Sequence, residues 1–313
     1  MARFLIVRLA LIVVTLLAVS VAIFSLIEFA PGDAATVILG QAATPENTKA
    51  LRERLGLDKP PHERYMNWIT GALRGDLGIA ASGKEISGIV PGRLFNSALL
   101  AVGAFMIAVP LGLGMGVLVG VKSDTLIDRF LTLGGLVTIS LPEFVTGIVL
   151  VLVFSSTLGW LPSSSIMLPG ETIIGNPQVL VMPVLTVTGA LFAYILRMAR
   201  ANVIEVMGSN YVRTAILKGL PMRTVVVRHV LPNAMLPTIT VIANNVGWLF
   251  GGLIIIENLF AYPGMGSLLI QAINARDIRL LQSTAMVIAA VYAFSNLAAD
   301  LTYGWLNPRV RLA

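Results

Sequence analysis

The sequence predicts an all-α membrane protein, and three observations carry that prediction. Hydrophobic residues are 56% of the 313 and charged residues only 12%, where a soluble globular chain carries about a quarter charged. The mean hydropathy is +0.86. The apolar residues also gather into six stretches, each close to the roughly 20 that a helix needs to cross a hydrocarbon core of about 30 Å. These are residues 4–29, 97–121, 130–157, 179–198, 234–259 and 283–305. So little charge cannot solvate a globule of this size, which excludes a soluble enzyme and a disordered chain. The absence of cysteine excludes a disulfide scaffold and thiolate metal sites. The two histidines, His62 and His229, are too far apart in sequence to suggest a metal cage. In so apolar a chain a net charge of +6 reads as membrane orientation, and no nucleic-acid partner is expected.

The first stretch is read as a retained helix. Its apolar run from Leu9 to Ile27 exceeds the roughly 7–15 residues of a signal-peptide core, and Glu28-Phe29-Ala30-Pro31 is a poor cleavage site. Six spans put both termini on one side, and the basic residues choose it. Arg3, Arg8, Lys122, Arg129, the six in 197–230, Arg309 and Arg311 fall on the N-terminal side, whereas the short opposite loops hold only Arg276 and Arg279. The positive-inside bias therefore predicts cytoplasmic termini. Between the first two spans, basic and acidic residues mix in a small periplasmic cap. Thr44 and Pro45 open a helix there, which Gly56 and Pro60-Pro61 end. Leu51, Leu55 and Leu57 give it a partial apolar face. A second helix is expected around 63–73, with Tyr65, Ile69 and Leu73 on one face. The domain division expected is 1–96, the first span plus cap, and 97–313, a five-helix core containing a cytoplasmic loop at 199–233.

That loop, between spans four and five, is the most informative segment. Inner-leaflet attraction explains its basic excess but not its pattern. Ser209 is placed to cap a short helix through Lys218. Gly219 suits the left-handed position that ends it, and Pro221 suits the first turn of the next. Val212, Ala215 and Ile216 share a face, while Arg213 and Lys218 point away. A rigid amphipathic lever between two spans suits the transmission of force from a partner.

Gly219, nine residues, then His229-Val230-Leu231-Pro232 resembles the loop signature of permeases in ABC-type importers. The signature's Glu-Ala-Ala triplet falls on Arg213-Thr214-Ala215, so two of three positions differ, and His229 replaces an Ile. Tyr211-Val212-Arg213-Thr214-Ala215 with Lys218-Gly219-Leu220 is similar to the dipeptide/oligopeptide (nickel) branch. Ala30-Pro31-Gly32-Asp33, Leu55 to Pro60, Gly75 to Gly78, Glu257 to Gly266 and Pro308 to Arg311 agree with that branch, with Asn307 in place of its usual Asp. The resemblance implies a multi-pass permease subunit of the bacterial inner membrane that binds no cofactor and has no catalytic residue. It implies a second homologous permease as heterodimer partner, two cytoplasmic ATPases holding ATP and Mg, and an extracytoplasmic substrate-binding protein. The ATPase-coupling residues would be Tyr211, Arg213, Thr214, Ala215, Lys218, Gly219, Leu231 and Pro232. Peptides lead among substrates; the branch also takes nickel complexes, glutathione, opines and some sugars.

Gly78 to Glu85 matches G-x-x-x-x-G-K, but Glu85 stands where Ser or Thr must bind Mg, so it is read as a decoy. Asn244 and Asn245, mid-span, either line a watery path or make an inter-helix hydrogen bond. Glu143, after Pro142, is either an intramembrane functional charge or an interfacial one behind a broken span. Gly112, Gly116 and Gly120 share a helix face and favour tight packing. An ion-driven secondary transporter is the alternative class, but paired intramembrane charges and inverted repeats are not evident. An intramembrane enzyme has no H-E-x-x-H or G-x-S-x-G motif to support it.

Overall fold

The computed structural model describes residues 2–29, 36, 43–56, 58–168 and 170–306. Some side chains within these ranges, those of Leu51, Leu55, Asn244, Trp248 and Trp305 among them, lie outside the described residues, as do Leu57 and the motifs at 30–33 and 308–311. Among the described residues every element longer than a single bridge is a helix. In order come α1 (Ala2–Glu28), α2 (Pro45–Leu55), α3 (Pro61–Leu73), α4 (Ile86–Val121), α5 (Leu126–Ser140), α6 (Glu143–Leu150), α7 (Gln178–Met207), α8 (Asn210–Leu217), α9 (Met222–Val225), α10 (Leu231–Leu259), α11 (Met265–Asn274) and α12 (Ile278–Leu306). Wide π-type turns extend α6 over Val151–Thr157 and join α9 to α10 over Val226–Val230.

Among the described residues, five stretches of helix are long and apolar enough to cross a bilayer, or six if the bent pair Leu126–Ser140 plus Glu143–Thr157 counts as one. The third expected span is therefore not a straight rod: its halves meet at 105°. Pro142 causes this. Its ring drives the preceding residue out of the helical region, and Leu141 is extended at φ −87, ψ 134. Each half is about 22 Å long at 1.5 Å per residue, too short to span alone.

The chain divides into two compact units. The first comprises Met1–Ser97 and Pro263–Phe294. Here α2 begins as expected: the Thr44 side chain accepts from the Asn47 amide at 3.2 Å, and Gly56 ends the helix at φ 68. Helix α3 docks on the end of α1. Ser20 and Tyr65 share a 2.8 Å hydrogen bond, the Phe24 and Tyr65 rings meet edge-on at 5.4 Å, and Arg64 pairs with Glu28. Ile69 of α3 is buried, but Leu73, expected on the same face, is 81% exposed. Leu73 is the last residue of the helix, past the part that meets α1, and Arg74 caps it. Helix α11 lies where only a loop was expected. It packs Met265, Leu268 and Ala272 against Ile86, Val90 and Leu280. Asn96 Nδ2 donates to the Pro263 carbonyl and Ser97 Oγ accepts from the Met265 amide, both at 2.8 Å.

The G-x-x-x-x-G-K segment also lies in this unit, as a tight antiparallel turn with Ile79 bridged to Glu85. Gly78 and Gly83 take left-handed φ of 83 and 81. The Ala80 amide donates to the Lys84 carbonyl, the Gly83 amide to the Ala80 carbonyl and the Ala81 amide to Asp277. Those bonds hold the segment as a closed turn, with Glu85 where a phosphate loop needs Ser or Thr.

The second unit comprises Ala98–Tyr262 and Ser295–Ala313. Within it α4 and α7 meet along a glycine seam. A Cβ built on Gly112 would stand 2.9 Å from Ile195 Cβ, one on Gly116 2.6 Å from Ala199 Cβ, and one on Gly120 2.7 Å from Val203 Cβ. The repeat of four expected from the sequence thus meets a matching repeat of four on α7. Gly247 of α10 admits Asn296 of α12 in the same way: any Cβ there would be 2.2 Å from the Asn296 Oδ1.

Candidate functional site

The loop from 199 to 233 folds as a short lever on the ends of three helices. Helix α7 stops at Met207, Gly208 turns the chain, and Ser209 is extended at φ −71, ψ 149. Ser209 holds the expected capping position, but its hydroxyl donates back to the Val206 carbonyl at 2.6 Å and caps nothing ahead of it. Helix α8 then runs two turns. Thr214 Oγ1 donates to the Asn210 carbonyl at 2.9 Å. Gly219 ends the helix at φ 77, with its amide bonded to the Ile216 carbonyl and the Leu220 amide reaching the Ala215 carbonyl. A Cβ on Gly219 would meet nothing within 4 Å. Glycine is needed there for backbone conformation, not for space. Pro221 is the residue before α9, one position earlier than expected.

Val212 and Ala215 are the buried face of α8. They pack with Val203 of α7, Val225 of α9, and Val230 and Ala234 at the start of α10, and Val117 and Val121 of α4 close the cluster. Ile216, expected on this face, is 42% exposed. Successive residues turn by about 100°, so Ile216 sits 100° from Ala215, at the rim of the buried stripe. Tyr211, Arg213, Thr214 and Lys218 are exposed, and Leu217 is 79% exposed. Leu220, Met222 and Val227, in and beyond the turn that follows α8, are exposed as well. Leu231 is half-buried and Pro232 exposed at the first turn of α10. Pro232 lacks an N–H, and the preceding turn widens to the π form. The Asn233 side chain donates to the His229 carbonyl at 3.0 Å there.

An ion pair that sequence reading missed lies at the same end of this unit. Arg200 of α7 donates from Nε to Asp128 Oδ1 at 2.5 Å and from Nη2 to Oδ2 at 2.7 Å. The Thr132 hydroxyl and the Asp124 amide complete the carboxylate's partners, and the Asp128 side chain is only 3% exposed. Thr125, which accepts from the Asp128 amide, was the one local signal: a capping threonine three residues before an acid. Asn202 Nδ2 donates to Thr238 Oγ1 at 2.9 Å, tying α7 to α10 one turn from the lever.

The residues expected along a translocation path do not form one cluster. Glu143 stands in the first turn of α6, half-buried, with Oε2 3.5 Å from where a Cβ on Gly252 of α10 would be. Asn245 lies seven residues earlier on α10, about 10 Å along the axis. Its Nδ2 donates to the Val241 carbonyl of its own helix at 2.8 Å, not to a neighbouring helix. The Asn244 side chain lies outside the described residues. Asn296, against Gly247, is a polar group within a span that sequence reading passed over. Past the end of α10, Tyr262 is fully buried; burial first, and the Glu257 charge second, push its phenol well above the usual range.

Two family models together cover the chain. Residues 93–312 match the binding-protein-dependent transport system inner membrane component, and residues 1–96 match the N-terminal part of the same kind of membrane component. The chain is similar to a putative peptide permease protein of Brucella suis biovar 1, with 34% identity over 304 residues and 95% of each chain covered. It is also similar to the glutathione transport system permease protein GsiC of Escherichia coli, with 32% identity over 312 residues and 99% of each chain covered. An importer of this kind works with ATPase subunits and a binding protein, and its membrane subunit is a permease, not the catalytic component. The chain, with a matching family model over 93–312 and apolar helices to suit, belongs to the binding-protein-dependent transport system inner membrane components: it is a multi-pass permease subunit of an ABC importer.

Proposed function

We propose that this permease imports peptides or peptide-like solutes, as half of a heterodimer with a second homologous permease. Both relatives carry names in that chemical range, a peptide permease and a glutathione permease. Both termini and the 199–233 loop are read as cytoplasmic, and the segment between Pro31 and Asn96 as the periplasmic cap; the placement of basic residues supports this orientation. Residues 1–96 then form the first span and cap, and 97–313 the permease core. ATP and Mg belong to the two partner ATPases, and this chain holds neither.

The observation that carries the reading is the two-faced α8. Val212 and Ala215 are seated on the ends of α4, α7 and α10, while Tyr211, Arg213, Thr214, Lys218 and Leu217 face outward. An ATPase gripping the outward face would move the seated face, and with it the span ends. Gly219 fixes the exit angle of this lever, and Leu231 and Pro232 start the span that receives it. Asn244, Asn245 and Glu143 are assigned to the conduction path, with Glu143 at the α6–α10 contact beside Gly252 and Asn245 about 10 Å along α10 from it.

Gly219→Val tests the lever. A β-branched residue at φ 77 is strained, by roughly 1–3 kcal/mol. Membrane insertion and solubilised yield should stay near those of the parent. Receptor-stimulated ATP hydrolysis in the reconstituted complex should fall at least about tenfold, since helix exit angle and docking face are displaced together. Undiminished stimulation in a correctly inserted variant would overturn the assignment. Because the chain has no native cysteine, Leu217→Cys offers a second check. Thiol crosslinking from 217 should capture an ATPase subunit, and repeated capture of periplasmic protein instead would reverse the orientation.

A further inference from the structure

Glu143 stands at the corner that Pro142 makes between α5 and α6, inside the bent span of the second unit. Among the described residues no hydrogen bond and no cation engages its carboxylate. The residue is half-buried, and neither of its oxygens is shut away from the surface. A carboxylate within a span is costly unless something answers its charge.

Helix α10 leaves room for that something. A Cβ on Gly252 would make ordinary contact with the carboxylate, 3.5 Å from Oε2 and 4.0 Å from Oε1, so glycine leaves that side uncovered. Gly251 beside it is exposed, and a Cβ there would meet nothing within 4 Å. Asn245 lies seven residues before Gly252, which is about 20° short of two full turns, so both are on one face of α10. The Asn245 Nδ2 is spent on the Val241 carbonyl. Its Oδ1 has no donor among the described residues and is likewise open to the surface. The face thus offers two acceptors, one of them charged, about 10 Å apart along the axis. That is too far for one metal ion, but an extended peptide advances about 3.3 Å per residue and covers it in about three.

We propose that Glu143 is a station for the ammonium group of the passing solute, with Asn245 Oδ1 accepting from an N–H further along the same solute. This rests on the assignment of Glu143 and Asn245 to the conduction path, and it adds a preference for cationic solutes that the assignment alone does not require.

The test uses the assembled importer in nanodiscs, with Gly251→Cys as reporter. The chain has no native cysteine, so its mass reads labelling at 251 alone. The cationic 2-(trimethylammonio)ethyl methanethiosulfonate is compared with the anionic 2-sulfonatoethyl reagent, each rate taken relative to that with free 2-mercaptoethanol. The cation should be favoured about tenfold or more, because attraction of one reagent and repulsion of the other add. Glu143→Gln keeps the shape and removes the charge, and should bring the ratio near one. Glu143→Asp should hold it within about threefold of the parent. With residue 143 unchanged, about 50 mM glycinamide should slow the cationic reagent at least twofold relative to the same concentration of sodium chloride. No reaction at 251 with either reagent would show that this face meets no water, and would end the conduction-path assignment together with the station. Reaction without charge preference, which a basic residue of the second permease seated on Glu143 would also give, would overturn the station alone. So would a preference that outlasts Glu143→Gln, or labelling that glycinamide leaves unchanged.

Discussion

Asp128→Ala should destabilise the solubilised chain by about 3 kcal/mol. The substitution strips the Arg200 guanidinium of both its charge-assisted bonds and leaves the Asp124 amide and the Thr132 hydroxyl without their acceptor. Removing one partner of a buried ion pair costs about 3–5 kcal/mol, because the other charge stays behind in a poor solvent. Arg200 is 27% exposed at its side chain, so water recovers part of the loss, which places the effect at the lower end. Thermal or denaturant unfolding of single and double variants measures it. Asp128→Ala in an Arg200→Ala background should cost markedly less than in the parent, since no charge is stranded. A cost below about 1 kcal/mol in the parent, or strict additivity, would show the pair to be no better than a surface contact.

Gly116→Val should be more disruptive still, and Gly114→Val is its control in the same helix. A Cβ at 116 would lie 2.6 Å from Ala199 Cβ and 2.8 Å from the Leu196 carbonyl oxygen, whereas one at 114 would meet nothing within 4 Å. Backbone cannot give way as a flexible side chain can, so α4 and α7 must separate at 116. Overpacking costs about 1–3 kcal/mol at an ordinary core position and occasionally more; loss of the close approach that small residues allow adds to it. The expected result is loss of folded protein on solubilisation for Gly116→Val, with Gly114→Val inserted, folded and active. Equal behaviour of the two variants would remove the seam as an element of stability.

What the sequence made legible was local or periodic. The Thr44 cap, the Gly56 and Gly219 left-handed exits and the Gly112-Gly116-Gly120 stripe each follow from chemistry within a few residues, and each recurs in the structure. Val212 and Ala215 were readable as a buried face for the same reason. The Asp128–Arg200 pair was not, because its members are 72 residues apart and each alone reads as a border charge. Helix α11 was overlooked although Gly264 and Ser267 mark its start, with the Gly264 amide bonded to Ser267 Oγ at 3.1 Å. Its 10 residues are too few to register as a span, and the surrounding segment was read only as a loop. The break at Pro142 was one of two open readings, and hydropathy cannot choose between them: composition is unchanged by a corner, and only φ and ψ at Leu141 record it.

The interlock of Gly112, Gly116 and Gly120 with Ile195, Ala199 and Val203 also restricts how α4 and α7 can travel. Each side chain sits in a notch one helical turn from the next, with contact distances below 3 Å to any added carbon. A slip of half a turn would drive those side chains onto main-chain atoms, and the next matching register lies four residues away, about 6 Å. Short of that jump the pair can only tilt or rotate as a single rod, so torque entering beside Val203 reaches Ile195 without play.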